Sequence, residues 1–277
     1  MKNFLKSFAR TTIRKAIAVV EPFAGFQTDP TGYLPNRIKM ITGSYEKFLT
    51  RSICAALPEK GVFVDVGANV GFISQQVARK FKNARVFAFE PNPRIYQIIE
   101  KNLKFFPNCQ VHHVGLGAKE GQLEFFHGDE SCVGSFVQEY TSHHPSNSAR
   151  GPIAKSIVQV KTGDTMLAQV GTIDVMKMDV EGYEIEVLKG MAKLLATGGI
   201  KTIFFEFFPF AHRWAHHQPE DIIHLLIASG YSIYEMEGVS SGRQVTVENS
   251  VALIVRLGDN GYTTLRANAQ SSSKKND

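Results

Sequence analysis

Val62-Phe63-Val64-Asp65-Val66-Gly67-Ala68-Asn69-Val70-Gly71-Phe72 is the stretch on which the reading of this chain turns. Phe63, Val64 and Val66 suit a strand covered on both faces, because a continuous apolar run leaves no side for water. Gly67 and Gly71 bracket a loop whose backbone can turn tightly and approach a ligand, and a helix is expected from about Phe72. Free amides at that helix start, with Asp65 just before them, form the first half of a cofactor cradle. The second half is Glu90, which ends a strand over Arg85 to Phe89 and is followed by Pro91-Asn92-Pro93. An acid there can accept hydrogen bonds from two ribose hydroxyls. The plainer alternative is a strand–turn–helix junction in which the glycines serve packing and Asp65 or Asn69 only caps the helix. That alternative leaves Glu90 without a role.

The loop also discriminates between cofactors. Dinucleotide enzymes seat a pyrophosphate on the helix start with G-x-G-x-x-G spacing, whereas only two of those glycines can be matched here in any register. Asp65 would oppose a pyrophosphate and favour a cation. S-adenosylmethionine carries a sulfonium, an ammonium and a ribose, so acids at Asp65 and Glu90 suit it better than NAD. No Walker loop occurs.

Outward from this stretch, strands and helices alternate at βαβ spacing: helix Phe72 to Phe81, helix Ile95 to Phe105, and strand Gln110 to Val114. The alternation pauses from Gly115 to Gly171, where Gln122 to Phe126 and Ile157 to Lys161 read as strands around a polar stretch, Ser142 to Asn147, expected to be a mobile loop or lid. It resumes with strand Ile173 to Met178, helix Tyr183 to Leu195, strand Thr202 to Phe207, helix Pro219 to Ser229 and strand Tyr231 to Glu235. A last strand, Val251 to Arg256, is expected to insert antiparallel beside the fifth. Upstream, Ser44 is the expected cap of a helix carrying Phe48, Leu49, Ile53 and Ala56, after an irregular connector from Glu21 to Gly43. The expected domains are a basic helix and connector over 1–43, a catalytic unit over 44–266 with an insertion at about 117–171, and a disordered tail over 267–277.

With 277 residues, 43% hydrophobic content and 20 phenylalanines, the chain can bury a substantial core. The net charge of +5 resides in Lys2, Lys6, Arg10, Arg14 and Lys15, which leaves 26 basic against 26 acidic residues elsewhere. Leu5, Phe8, Ala9, Ile13, Ala16, Ile17 and Val20 share one stripe of the same segment. Residues 1–20 are therefore a candidate for peripheral membrane contact or a partner, with a helix packed on the core as the plainer reading. No nucleic-acid partner is expected, since no second basic cluster interleaved with aromatics occurs. Cys54, Cys109 and Cys132 show neither paired count nor CxxC spacing, so a reducing, cytoplasmic setting is expected, membrane-associated if the helix lies on a bilayer.

A third motif, Ile173-Asp174-Val175-Met176-Lys177-Met178-Asp179-Val180-Glu181-Gly182-Tyr183-Glu184, delivers Asp179 and Glu181 to the end of a buried strand. Here the chain resembles the FkbM-type S-adenosylmethionine-dependent methyltransferases, in a D-x-G-A-N-x-G loop (Asp65 to Gly71), an F-E-P-x-P motif (Phe89 to Pro93) and K-x-D-x-E-G-x-E (Lys177 to Glu184) followed by Val187 to Gly190. The resemblance covers about Ser44 to Phe208. It implies a Rossmann-like class I methyltransferase fold: an α/β, mostly parallel seven-stranded sheet with helices on both faces, plus an N-terminal helical extension. It also implies S-adenosyl-L-methionine as cofactor, with Asp65, Gly67, Asn69 and Gly71 on its methionine side, Glu90 on the ribose and Asn92 near the adenine. Leu116 is the expected apolar wall for that ring, and Asp179 can bind the cofactor ammonium, the acceptor or a divalent ion. The implied acceptor is a hydroxyl of a sugar, glycan or secondary metabolite. Glu206, set among Phe204, Phe205, Phe207 and Phe208, is a candidate base with a raised pKa, and His212, His216 and His217 are further candidates. No zinc motif occurs, and no metal ligand set is assigned. A catalytically silent cofactor-binding protein acting at a membrane or with a partner is the alternative, and a nucleotide-dependent oxidoreductase stands third.

Overall fold

The structure, a computed structural model, describes residues 2–128, 133–144, 153–238, 240–258 and 261–270, with the backbone alone described over 2–10 and 240–241. Three helices come first: α1 (Lys2–Ala24), α2 (Leu34–Ile41) and α3 (Lys47–Ala56). α2 lies within the stretch expected to be an irregular connector, because Pro35 sits in its first turn, where a missing amide is harmless. α3 does not start on a Ser44 cap. Glu46 holds its N-cap position at φ 42° without a capping bond from its side chain, and the Ser44 hydroxyl pairs with that of Thr42 at 2.9 Å.

The core alternates through β1 (Val62–Val66), α4 (Phe72–Lys80), β2 (Arg85–Phe89), α5 (Pro93–Leu103) and β3 (Cys109–His112). An insertion follows, comprising β4 (Gly115–Leu116), β5 (Gly121–His127), α6 (Gln138–His143), β6 (Ala154–Lys161) and α7 (Gly163–Met166). β4, β6 and β5 make a separate three-stranded sheet. α6 takes up Ser142 and His143 from the polar stretch expected to be a loop, while residues 145–147 lie outside the described residues. The chain returns with β7 (Ile173–Met178), α8 (Glu184–Lys189), α9 (Ala192–Ala196), β8 (Ile200–Phe207), α10 (Pro209–Trp214), α11 (Glu220–Ala228), β9 (Tyr231–Glu237), β10 (Ser240–Val245), α12 (Val247–Leu257) and β11 (Thr263–Ala269). The single helix expected from Tyr183 is broken into α8 and α9 around Gly190, where a Cβ would stand 2.0 Å from the Gly117 carbonyl oxygen.

The main sheet has eight strands in the order β10-β9-β11-β8-β7-β1-β2-β3 rather than the expected seven, β10 being an added edge strand paired antiparallel with β9. β3, β2, β1, β7 and β8 run parallel. The antiparallel strand beside the fifth is β11, which separates β8 from β9. It is not Val251 to Arg256, which lies in α12. Of the tail expected over 267–277, Ala267 to Ala269 belong instead to β11, and 271–277 lie outside the described residues.

β1 explains why the sheet is covered twice. Val62, Val64 and Val66 join the core beneath α8 and α11, and Phe63 joins the one beneath α3 and α4. All five of its residues are buried. The strand order reverses between β1 and β7, so a crevice opens beyond their carboxyl ends, where open α/β sheets bind ligands.

Candidate active site

A cavity of about 390 Å³ fills that crevice, within the range of small-molecule sites. The loop after β1 forms its floor. Gly67 (φ 73°) brings the loop so close to β7 that a Cβ would stand 1.9 Å from the Asp179 carbonyl oxygen, and Asn69 (φ 51°) and Gly71 (φ 80°) complete a left-handed turn into α4. Asn69 accepts a bond from the Val70 amide at 2.8 Å through its own side chain, a local device that lets asparagine hold this backbone.

Asp65, Gly67, Asn69, Glu90, Asp179 and Glu206 all line the cavity. Asp65 is 1% exposed; its Oδ2 accepts from Ser74 Oγ at 2.7 Å and its Oδ1 faces the Lys177 ammonium at 3.4 Å. Glu90 accepts the Asn69 and Asn92 amides, both at 2.8 Å, one on each oxygen. Each carboxylate oxygen retains a second lone pair, so ribose hydroxyls can still be received there. Burial pushes the Glu90 carboxyl up to about 7. Gly71 does not line the cavity itself but starts α4, where a side chain would meet Ile99 at 2.7 Å.

Five further expected residues do not line the cavity. Leu116 is 2% exposed and packs in the core under β1 and β7, so it forms no wall of the cavity. Pro91, Phe125 and Phe136 line the cavity instead, the two rings packed edge to face at 5.2 Å. Asn92 caps α5, accepting from the Arg94 amide at 3.1 Å, and is 2% exposed. His212 is fully buried against Phe207, with Nε2 4.0 Å from Glu184, and neither ring nitrogen has a hydrogen-bond partner. Burial lowers it to about 4, which makes it a neutral core histidine rather than a base facing the cavity. His217 pairs with Glu186 at 3.1 Å, and neither it nor His216 lines the cavity.

Beyond the end of β7 and at the end of β8, Asp179, Glu181 and Glu206 bring carboxylate oxygens within 4.8 Å of one another. The spacing suits a cation held between them, an ammonium or a divalent ion. Lys177 stands behind them, donating to the Gly67 carbonyl at 2.9 Å and lying 3.5 Å from Asp179. Burial alone would lower its ammonium, but Asp179 and Asp65 reverse this and raise it. Burial, then the neighbouring carboxylates, hold Glu181 and Glu206 well above the ordinary range. The Tyr140 phenol is raised by burial and by the nearness of Glu181 and Glu206.

Glu46 escaped the sequence reading. It lines the cavity from the start of α3 and has one buried oxygen without a partner. Burial and the Asp179 charge raise its carboxyl to about 7. An acid at a helix start reads as ordinary dipole complementation, which conceals it. Tyr140 and Tyr262 carried no motif either. A neighbouring cavity of about 450 Å³ shares Glu46, Lys177, Asp179, Glu206 and Tyr262 with the first and reaches Phe48 and Thr264.

A parallel sheet with an antiparallel strand inserted beside its fifth, a glycine loop after the first strand and acids at successive strand ends define the Rossmann-like class I methyltransferase fold. The profile of the family described as "Methyltransferase FkbM domain" matches residues 65–233, and the chain belongs to that family. It is 28% identical to "Methyltransferase 1" of Beauveria bassiana, over 50% of this chain and 61% of that one. It is 30% identical to "Hexuronic acid methyltransferase AglP" of Haloferax volcanii, over 57% and 61%, and 26% identical to "2-O-methyltransferase NoeI" of Sinorhizobium fredii, over 47% and 56%. The matches thus span about three fifths of these relatives' own length.

Proposed function

We propose that this chain transfers a methyl group from S-adenosylmethionine to a hydroxyl of a saccharide or secondary metabolite. The observation that carries the reading is the union, in one cavity, of a ribose-type acceptor at Glu90 with a carboxylate cluster at the ends of β7 and β8. The donor set fits this cofactor. Carboxylates at Asp65, Glu90 and Asp179 suit an ammonium, a sulfonium and ribose hydroxyls, and they repel a pyrophosphate. When bound, S-adenosylmethionine supplies a methyl carbon already activated by its sulfonium.

The remaining work falls to the chain. Glu90 would hold the ribose, Asp65 and Asp179 the methionine end, and Pro91, Phe125 and Phe136 the adenine side. The acceptor needs alignment and a place for its proton. Glu206, whose buried carboxylate is, when ionised, a stronger base than a free one, is our choice for that proton, with Asp179 and Glu181 orienting the hydroxyl. Relatives named for O-methylation and for a hexuronic acid support a hydroxyl of a sugar-like acceptor. Calorimetry with S-adenosylmethionine and mass spectrometry of an extract incubated with deuteromethyl-labelled cofactor test the reading; absence of cofactor binding would sink it.

We also propose that α1 contacts a membrane surface. No helix among the described residues is long and apolar enough to cross a bilayer. Ile13, Val19, Val20 and Phe23 are nevertheless exposed along one arc of α1, beside Arg14 and Lys15, while Ile17 packs inward. Changing Val19 and Phe23 together to Ser is expected to reduce co-sedimentation with anionic vesicles several-fold while leaving cofactor binding intact; unchanged co-sedimentation refutes the contact.

A further inference from the structure

The electrostatics of the cavity bear on which acceptors it admits, an inference that rests on the methyl-transfer reading. Glu46, Asp179, Glu181 and Glu206 line one region of it and reach it from α3, from the end of β7, from the turn beyond and from β8. Lys177 is the one lysine or arginine among the described lining residues. Its ammonium is already held by the Gly67 carbonyl, Asp65 and Asp179. His144, the histidine of the lining, is kept towards its neutral form by burial. No described cation is therefore left to meet an incoming anion.

The carboxyls themselves report how little further negative charge this region tolerates. Burial is the first cause that raises Glu46, Glu181 and Glu206, the Asp179 charge adds to each, and Glu206 is raised further by Glu181, Glu184 and Glu46. Negative charge on any of these four acids opposes an incoming anion and favours an incoming ammonium. Tyr140, Phe208 and Tyr262 line the same cavity. Their faces can cover the apolar side of a ring while carboxyl oxygens accept from hydroxyl or ammonium groups.

We propose that the acceptor half of the cavity is an anion-excluding site, which takes uncharged or amino-bearing hydroxyl acceptors and rejects carboxylated or phosphorylated ones. Uronic acids, the acceptor class named for the Haloferax relative, fall on the rejected side.

The test uses the full chain loaded with S-adenosylhomocysteine and three probes of one ring geometry: methyl glucoside, its 2-amino counterpart and its uronic acid counterpart. Ligand-observed saturation-transfer NMR is expected to show the first or second binding at least about ten-fold better than the uronate. A Glu181→Gln, Glu206→Gln double variant narrows that gap. A uronate that binds as well as the other two overturns the proposal. If none of the three binds, the cofactor pair decides, because S-adenosylmethionine differs from its product by a positive charge at the transfer point. The proposal then requires the charged form to bind at least about ten-fold tighter to the wild-type chain, and equal affinities overturn it. Failure of both cofactors to bind removes the methyl-transfer reading itself, a result distinguishable from either of the others.

Discussion

Glu90 illustrates how one side chain can serve the fold and the ligand together. By receiving the Asn69 and Asn92 amides it ties the glycine loop to the start of α5. Glu90→Ala is therefore expected to weaken S-adenosylmethionine binding by about ten-fold or more, through lost ribose bonds and a loosened loop, as calorimetry would show. Glu90→Gln keeps the shape but can no longer accept both amides, and should fall between. His212 gives the opposite case. Its two unpartnered ring nitrogens lie in a site that Phe207 makes apolar, so His212→Phe should leave cofactor affinity within two-fold and hold or raise the melting temperature. A several-fold loss of cofactor affinity in that variant would restore the histidine to the site.

At the scale of elements, legibility followed the strength of the local signal. Asp65, Glu90, Asp179 and Glu206 were readable because each lies within one residue of the end of a buried apolar strand, where an acid stands out. The Val251 to Arg256 stretch misled, since a short apolar run has no period of its own to separate strand from helix. The deciding signal lay upstream in Thr246 and Asn249, whose side chains each accept the other's backbone amide at the head of α12. Thr246→Ala should therefore cost about 1 kcal/mol in urea unfolding without changing cofactor binding. The apolar lining was illegible for a different reason. Pro91, Phe125 and Phe136 come from separate parts of the chain, Pro91 and Phe136 lying beside Gly115 of β4, and contacts between separate sheets leave no trace in spacing. Glu46 was hidden by its place at the head of α3, where an acid reads as ordinary dipole complementation.

For the whole molecule, the acidic cavity implies an unusual pH response. Glu46, Glu90 and Glu184 are each raised to about 7 in the folded chain, mainly by burial, from an ordinary 4.5. Between those values the native state holds more protons than the unfolded one, so stability falls as pH rises across about 4.5 to 7. For Glu90, 5% exposed, the linkage is on the order of 3 kcal/mol. His212, lowered to about 4 from 6.5, acts oppositely because its unfolded form takes up the proton, so stability rises with pH across its window. The carboxyls outnumber it. The melting temperature of the ligand-free chain should therefore drop from pH 5 to pH 7.5, and S-adenosylmethionine should flatten the slope; a melting temperature that climbs over this range would contradict the assignment. The position of β11 carries a separate consequence for biogenesis. A ribosome delivers β9 and β10 before β11, yet β11 stands between β9 and β8 and brings Tyr262 to the cavity. A nascent chain must keep β8 and β9 apart until the strand between them emerges, so this half of the sheet can close only after synthesis has passed residue 269.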